Sequence, residues 1–83
     1  MIEKTFVIAK EEGLHARPAS ELTKLCQKFS SDIKLIKDSH EVNPKSILGI
    51  LSLGAGKGDQ VTVKVNGQDE QEAMKTIEQF FNS

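Results

Sequence analysis

The chain has 83 residues, and its 11 lysine or arginine and 12 aspartate or glutamate residues give a net charge of −1 at pH 7. This length allows one domain with a small core, and the balanced charge gives no electrostatic basis for binding nucleic acid or an anionic membrane. Because the single cysteine, Cys26, excludes an internal disulfide and no apolar run reaches the roughly 20 residues of a membrane span, we expect residues 1–83 to form one cytoplasmic domain without membrane insertion.

Hydrophobic periodicity predicts seven elements in the order βαββαβα. The clearest strand signal is the alternation of Val61, Val63 and Val65 with polar residues. The clearest helix signal is the three- and four-residue spacing of Ala19, Leu22, Cys26 and Phe29. The other predicted elements are a strand at 2–9, a hairpin of strands 32–37 and 40–43 around Asp38 and Ser39, and helices at 16–28, 47–53 and from residue 69 onward. Four strands in so short a chain favour an α+β fold, a four-stranded antiparallel sheet with three helices on one face.

Polar residues at the helix ends indicate where the helices begin. Ser46 is a favourable N-cap for the second helix, and residues 54–58 end that helix in a glycine-rich loop. Asp69 and Glu72 resemble a capping box at the start of the third helix. We expect that helix to bury a stripe of apolar side chains, namely Ala73, Ile77, Phe80 and Phe81.

Residues 13–19, Gly-Leu-His-Ala-Arg-Pro-Ala, are the strongest candidate for a functional site. They place His15 at the start of a predicted helix, where unpaired N–H groups and the helix dipole favour a phosphate group and a neutral imidazole. Arg17 can hold phosphoryl oxygens in a fork. Pro18 fits the first helical turn because no N–H is needed there. The segment therefore predicts a histidine that accepts a phosphoryl group and gives it away.

The predicted helix at 47–53 is apolar on nearly every side. Ile50 and Leu53 are three residues apart, so both can face the core. The second apolar face consists of Ile47, Leu48 and Leu51, and we call it the docking patch. A domain of this size has little interior left for these side chains, so we expect them to be exposed and to receive partner proteins. The alternative is ordinary core packing under a loop.

The remaining candidates predict ordinary structure. His40 lies in a hairpin and is expected to be solvated, and Cys26 is expected to be a core thiol. Two histidines and one cysteine at these spacings do not form a metal site. Residues 54–59 lack the first-glycine spacing and the Lys-Ser/Thr end of a phosphate-binding loop. We therefore expect neither a metal nor a cofactor.

Two motifs together resemble the HPr family of histidine phosphocarriers. They are His15 with Arg17, and residues 43–54, Asn-Pro-Lys-Ser-Ile-Leu-Gly-Ile-Leu-Ser-Leu-Gly. The resemblance implies an open-faced β-sandwich and a phosphoryl relay of the bacterial phosphoenolpyruvate-dependent sugar phosphotransferase system. Enzyme I would phosphorylate His15 on Nδ1, and IIA domains of sugar permeases would receive the phosphoryl group. The resemblance thus implies a stoichiometric carrier rather than an enzyme, and we expect a monomer.

The resemblance also implies a regulatory site. In low-GC Gram-positive members an ATP-dependent serine kinase/phosphorylase modifies the serine that matches Ser46, and the product acts with a LacI-type repressor in carbon catabolite control. We therefore predict that Ser46 is phosphorylated. We also predict that Arg17 stabilises the phosphoryl group and that Ser20 and Lys24 take part in partner docking beside the docking patch.

Four residues depart from the family pattern. Glu12 puts a carboxylate near the expected phosphate, Pro44 stiffens the approach to Ser46, and Leu48 and Leu51 stand where methionine is common.

Three alternative functions differ in what they require. A regulatory paralogue in a nitrogen-related phosphotransferase branch is compatible with the sequence, whereas a paralogue that acts only through Ser46 would be expected to lack the histidine, and His15 is present. A small nucleic-acid-binding module is disfavoured because the chain has no Tyr or Trp and carries almost no net charge. An independent enzyme is disfavoured because no acid–base pair or nucleotide site accompanies His15.

Overall fold

The computed structural model describes residues 1–82. Its elements are β1 (Ile2–Val7), α1 (Ala16–Cys26), β2 (Asp32–Lys37), β3 (His40–Val42), α2 (Ile47–Ser52), β4 (Gln60–Asn66) and α3 (Glu70–Asn82). The strands form one antiparallel sheet in the order β1-β4-β2-β3. The predicted order βαββαβα and the four-stranded antiparallel sheet are therefore confirmed, and β2 and β3 form the expected hairpin.

Alternation along the strands places the core between the sheet and the three helices on one face of it. Val61, Val63 and Val65 of β4 are each fully buried, whereas the polar residues between them are half-buried. On β2, Ile33 pairs with Val65 and Leu35 pairs with Val63, so the two central strands bury the same face. The helices cover this face with apolar side chains, among them Leu22, Ile50, Ile77 and Phe81.

A charged residue interrupts the apolar face of β1. Lys4 lies opposite the buried Val63 and so faces the helices rather than the open side of the sheet. Its amine donates a hydrogen bond to Glu78 Oε1 of α3 at 2.9 Å. This contact lies at the rim, where both side chains are partly exposed, so a charged residue is accommodated on the face of β1 that otherwise carries apolar side chains.

Several elements end earlier than the periodicity predicts. β1 ends at Val7 instead of residue 9: the Ile8 N–H still donates to the opposite Asp59 carbonyl at 2.9 Å, but the Ile8 carbonyl accepts from Gly58 instead of Asp59, so the regular pairing stops. α1 ends at Cys26 instead of residue 28, with Gln27 as its C-cap. α2 ends at Ser52 with Leu53 as its C-cap, and β3 ends at Val42. Ile8 and Leu53 are nevertheless buried, so the apolar pattern continues past the regular hydrogen bonding.

The predicted capping box at the start of α3 is wrong. The Asp69 carboxylate accepts hydrogen bonds from the Ser30 and Ser31 N–H groups at 2.8 and 3.0 Å and from both serine hydroxyls. Glu70, not Glu72, reaches back to a backbone N–H, that of Gly67, at 3.1 Å. Asp69 therefore fastens the loop between α1 and β2 to the start of α3.

Within residues 1–82, each helix is too short or too polar to traverse a bilayer. The same residues contain no group of three or more His, Cys, Asp or Glu side chains arranged to hold a metal ion.

Candidate functional site

The candidate site lies on two loops that pack on each other; they are residues 8–15 and residues 54–59. At one end the Gly58 N–H donates to the Ile8 carbonyl at 2.8 Å, and at the other the Leu14 N–H donates to the Ala55 carbonyl at 2.9 Å. Gly13 has φ +65°, and a Cβ there would lie 2.6 Å from the Ala55 oxygen. Only glycine fits so close an approach, which fixes the chain immediately before His15.

His15 is the N-cap residue of α1. It has the extended backbone of a cap, with φ −79° and ψ −169°, and its carbonyl accepts from the Ala19 N–H at 2.8 Å. Its side chain makes no capping hydrogen bond and is exposed. The imidazole is therefore accessible beside N–H groups of the first turn, a setting that suits a phosphoryl group.

Arg17 is the second residue of α1, and its side chain is exposed. The first turn of α1 contains no acidic residue, and within residues 1–82 the guanidinium forms no ion pair. A cation at the positive end of a helix is unfavourable unless an anion joins it. Pro18 lies in the same turn and is buried, so the predicted place of proline in the first turn is confirmed.

Ser46 is the N-cap of α2, as predicted. Its Oγ accepts from the Gly49 N–H at 3.3 Å, and its carbonyl accepts from the Ile50 N–H at 3.2 Å. The preceding loop is fastened to the loop that follows α1, because Lys45 Nζ donates to the Phe29 carbonyl at 2.8 Å. Ser46 itself is exposed, and its role in regulation stays a prediction.

The docking patch is exposed as expected. Ile47, Leu48 and Leu51 retain 37%, 75% and 39% of their surface, whereas Ile50 and Leu53 are buried. α2 packs against α1, on which Ser20 is half-buried and Lys24 is exposed. The exposure of the patch is thus confirmed, and its use by partners stays a prediction.

The predictions for His40 and Cys26 agree with the structure. His40 is exposed in the hairpin, and Cys26 is completely buried. Burial raises the pKa of the Cys26 thiol to about 12. This side chain is a packing element rather than a nucleophile.

Sequence reasoning missed the support beneath residues 54–59. Lys37 Nζ lies 3.2 Å from Asp59 Oδ2 and donates to the Gly54 carbonyl at 3.1 Å. Asp59 Oδ2 accepts from the Gly56 N–H at 2.8 Å. The Gly56 N–H, followed by the Lys37 ammonium, holds the pKa of the Asp59 carboxyl below its ordinary value. The signal available in the sequence was that Lys37 continues the inward-facing positions of Ile33 and Leu35.

Comparisons with known proteins agree on one family. The family model described as "PTS HPr component phosphorylation site" matches residues 2–83. HPr from Thermoanaerobacter tengcongensis is 44% identical and superposes with a TM-score of 0.97, over 100% of this chain and 93% of that chain. The phosphocarrier protein HPr from Bacillus anthracis is 35% identical with a TM-score of 0.92, over 96% and 95% of the two chains.

A third relative carries a different description. Crh of Bacillus subtilis, described as a catabolite repression protein and as a dimer with a swapped domain, is 36% identical. Its TM-score is 0.78, over 99% of this chain and 94% of that chain. The whole-length family match and the close superposition on two HPr proteins show that the chain belongs to the HPr family of phosphocarrier proteins of the phosphotransferase system.

Proposed function

We propose that the protein is a stoichiometric phosphoryl carrier that uses His15 as its acceptor. A ring nitrogen of His15 attacks the phosphorus of phosphorylated enzyme I, so that a new N–P bond forms as the bond to enzyme I breaks. The same group then passes to a IIA domain of a sugar permease by the reverse sequence of bond changes. The carrier itself needs no cofactor in this scheme.

One observation carries this proposal: an exposed imidazole at the N-terminus of α1 whose side chain is not used as a cap. Arg17 lies in the same turn and has no ion-pair partner in residues 1–82, so its guanidinium is available to hold phosphoryl oxygens. A phosphoryl group on His15 would supply the anion that this helix end favours. The exposure of His15 suits transfer between proteins, where the acceptor must reach a partner's active site.

The test uses purified enzyme I and phosphoenolpyruvate. Mass spectrometry should detect one acid-labile phosphoryl group on the wild-type protein and none on His15→Ala. His40→Ala is the matched control, since His40 is also an exposed histidine, and it should be labelled like the wild type. Undiminished labelling of His15→Ala would refute the proposal.

We propose a second, regulatory role at Ser46. Its hydroxyl caps α2 beside the docking patch, so an added phosphate would lie at a helix N-terminus, where negative charge is favourable. The likeness to Crh, a protein described by catabolite repression, supports this role. A serine kinase/phosphorylase and a LacI-type repressor would be the partners. The presence of His15 favours regulation of a working carrier over a protein that acts through Ser46 alone.

Ser46→Asp tests the regulatory role. The variant should fold normally but accept phosphoryl groups from enzyme I more slowly, because the added charge repels an acidic partner surface. The difference should shrink with added salt, since screening acts over about 8–10 Å at physiological ionic strength. Ser39→Asp, in the exposed β2–β3 turn, adds the same charge elsewhere and should behave like the wild type. Equal rates for Ser46→Asp and wild type would refute the regulatory role.

The proposed carrier acts as one monomeric domain in the cytoplasm. β1 pairs with β4 of its own chain, the arrangement that a monomer requires. The buried, unpaired Cys26 thiol suits a reducing compartment.

A further inference from the structure

Lys37 and Asp59 hold both sides of one loop residue, Ala55. On one side, Lys37 Nζ donates to the carbonyl of Gly54 at 3.1 Å. On the other side, Asp59 Oδ2 accepts from the N–H of Gly56 at 2.8 Å. Lys37 Nζ and Asp59 Oδ2 lie 3.2 Å apart, so the two anchors also hold each other. The peptide groups that flank Ala55 are therefore fixed from β2 and from the start of β4.

The backbone held in this way carries the residue that precedes the acceptor histidine. The Ala55 carbonyl accepts from the Leu14 N–H at 2.9 Å, and Leu14 is bonded to His15. Gly13 packs so closely that a Cβ would lie 2.6 Å from both the Ala55 oxygen and the Gly56 Cα. A shift of Ala55 is consequently passed to residues 13–15.

We propose that the Lys37–Asp59 pair is a positioning element that sets the orientation of His15 for phosphoryl transfer. The inference rests on the proposed function, since it assigns a task at the same histidine. The effect is on geometry, because a small displacement of a reacting group slows transfer steeply even when the displaced group is intact. Neither side chain touches the phosphoryl group in this scheme.

The ion pair of Lys34, on the same strand, differs from the Lys37–Asp59 pair in its exposure and in what it holds. Lys34 and Glu41 also lie 3.2 Å apart, but they face the open side of the sheet, and both side chains are about half exposed. Lys37 is only 25% exposed and bonds a loop carbonyl as well as a carboxylate. An exposed pair of the Lys34 type contributes little to stability and holds nothing else in place. Lys34→Met is therefore the matched control for Lys37→Met.

The experiment measures the kcat and KM for phosphorylation of each variant by enzyme I and phosphoenolpyruvate. Lys37→Met and Asp59→Ala should each lower kcat about tenfold with KM changed less than about twofold, because the acceptor is misoriented while the docking surface is unchanged. Lys37→Arg keeps donors for the Gly54 carbonyl and should restore most of kcat. Lys34→Met should match the wild type.

A second measurement needs no partner protein. The amide signal of Leu14 and the ring-proton signals of His15 in NMR spectra should shift in Lys37→Met and Asp59→Ala, and should stay in place in Lys34→Met. Retained dispersion of the remaining signals shows that each variant is folded. If Lys37→Met does not fold, Asp59→Ala decides the question, because it removes the bond to the Gly56 N–H and leaves Lys37 in place.

Each contrary outcome is distinct. Unchanged kcat together with unchanged Leu14 and His15 signals overturns the positioning role. If Lys37→Met and Asp59→Ala change the kinetic constants in opposite directions, or if only KM changes, the two charges act by steering docking. Either result also overturns the positioning role. If the wild type itself accepts no phosphoryl group on His15, the proposed function fails, and the NMR signals still decide whether the pair orients the histidine.

Discussion

Replacing Leu48 with aspartate tests the docking patch, because this side chain is 75% exposed in the free protein. Complete burial of a leucine side chain contributes about 1.5–3 kcal/mol. With three quarters of that surface still available to a partner, covering Leu48 would contribute about 1.1–2.3 kcal/mol to binding. Leu48→Asp should therefore weaken the complex by about six- to fiftyfold, and burial of the new charge adds to the loss.

The same substitution should leave stability almost unchanged. Residue 48 is the second position of α2, where an acidic side chain is favoured by the positive helix end. Ile50 offers the contrast, since it lies in the same helix and is fully buried. Ile50→Ala should reduce the free energy of unfolding by about 2–5 kcal/mol. Titration calorimetry with enzyme I or a IIA domain measures affinity, and thermal unfolding measures stability.

Two results would refute this reasoning. If Leu48→Asp binds every partner with wild-type affinity, the patch is not a docking surface. If Leu48→Asp lowers the melting temperature as much as Ile50→Ala does, Leu48 belongs to the core of the folded protein in solution and not to its exposed surface.

Two further predictions concern single side chains at and beneath the site. Arg17→Lys keeps the positive charge but loses the bidentate geometry of the guanidinium, so transfer from His15 to a IIA domain should slow by more than about tenfold, which corresponds to about 1.4 kcal/mol of barrier. Rapid-quench measurements give this rate. A wild-type rate would show that Arg17 takes no part in the transfer. Because burial raises the pKa of Cys26 to about 12, a thiol reagent near neutral pH should leave the folded protein unmodified and label it in denaturant. Labelling of the native protein at the rate of a free thiol would contradict the burial.

Periodicity correctly predicted the burial of residues whose surroundings depend only on the face of the strand or helix on which they lie. Val61, Val63 and Val65 all enter the core because alternate residues of a strand share a face. The division of α2 into buried Ile50 and exposed Leu48 follows from the same geometry in a helix. The capping role of Ser46 was equally local, since donor and acceptor lie three residues apart.

The features that were missed depend on residues far apart in the chain. β1 ends at Val7 because the Ile8 carbonyl accepts from Gly58 instead of from Asp59, a change of partner that no local pattern indicates. Lys37 and Asp59 are 22 positions apart, and neither is unusual on its own. The positions of His15 and Arg17 in a helix start were predictable, whereas the support that holds the preceding loop was not.

Asp69 shows the same competition between local and distant partners. Its sequence neighbours predict a capping box, but its carboxylate instead accepts from the backbone N–H groups and hydroxyls of Ser30 and Ser31. Two hydroxyls and two N–H groups from a loop outnumber the single N–H that a capping box would supply. The tertiary contact therefore replaces the local one.

This contact makes stability depend on pH in a direction that can be tested. The Ser31 hydroxyl, followed by the Ser30 N–H, holds the pKa of the Asp69 carboxyl below its ordinary value. Since the folded state then binds the proton less readily than the unfolded state, the stabilisation is complete above the unfolded-state pKa of about 3.9 and is lost as pH falls through the lower folded-state pKa.

Urea unfolding of wild type and Asp69→Asn from neutral to strongly acidic pH tests this dependence. The wild type should be the more stable protein near neutral pH. The difference in free energy of unfolding between the two proteins should narrow as the pH falls below about 4, because the protonated Asp69 carboxyl is uncharged, as the asparagine amide is at every pH. The pKa values of Asp59 and Glu70 are also lowered, but both residues are present in both proteins, so their contributions cancel in the difference. Asp32→Asn, at an exposed position of β2, should show no such narrowing. A difference between wild type and Asp69→Asn that stays constant over the whole range would mean that the amide accepts the serine hydrogen bonds as well as the carboxylate does.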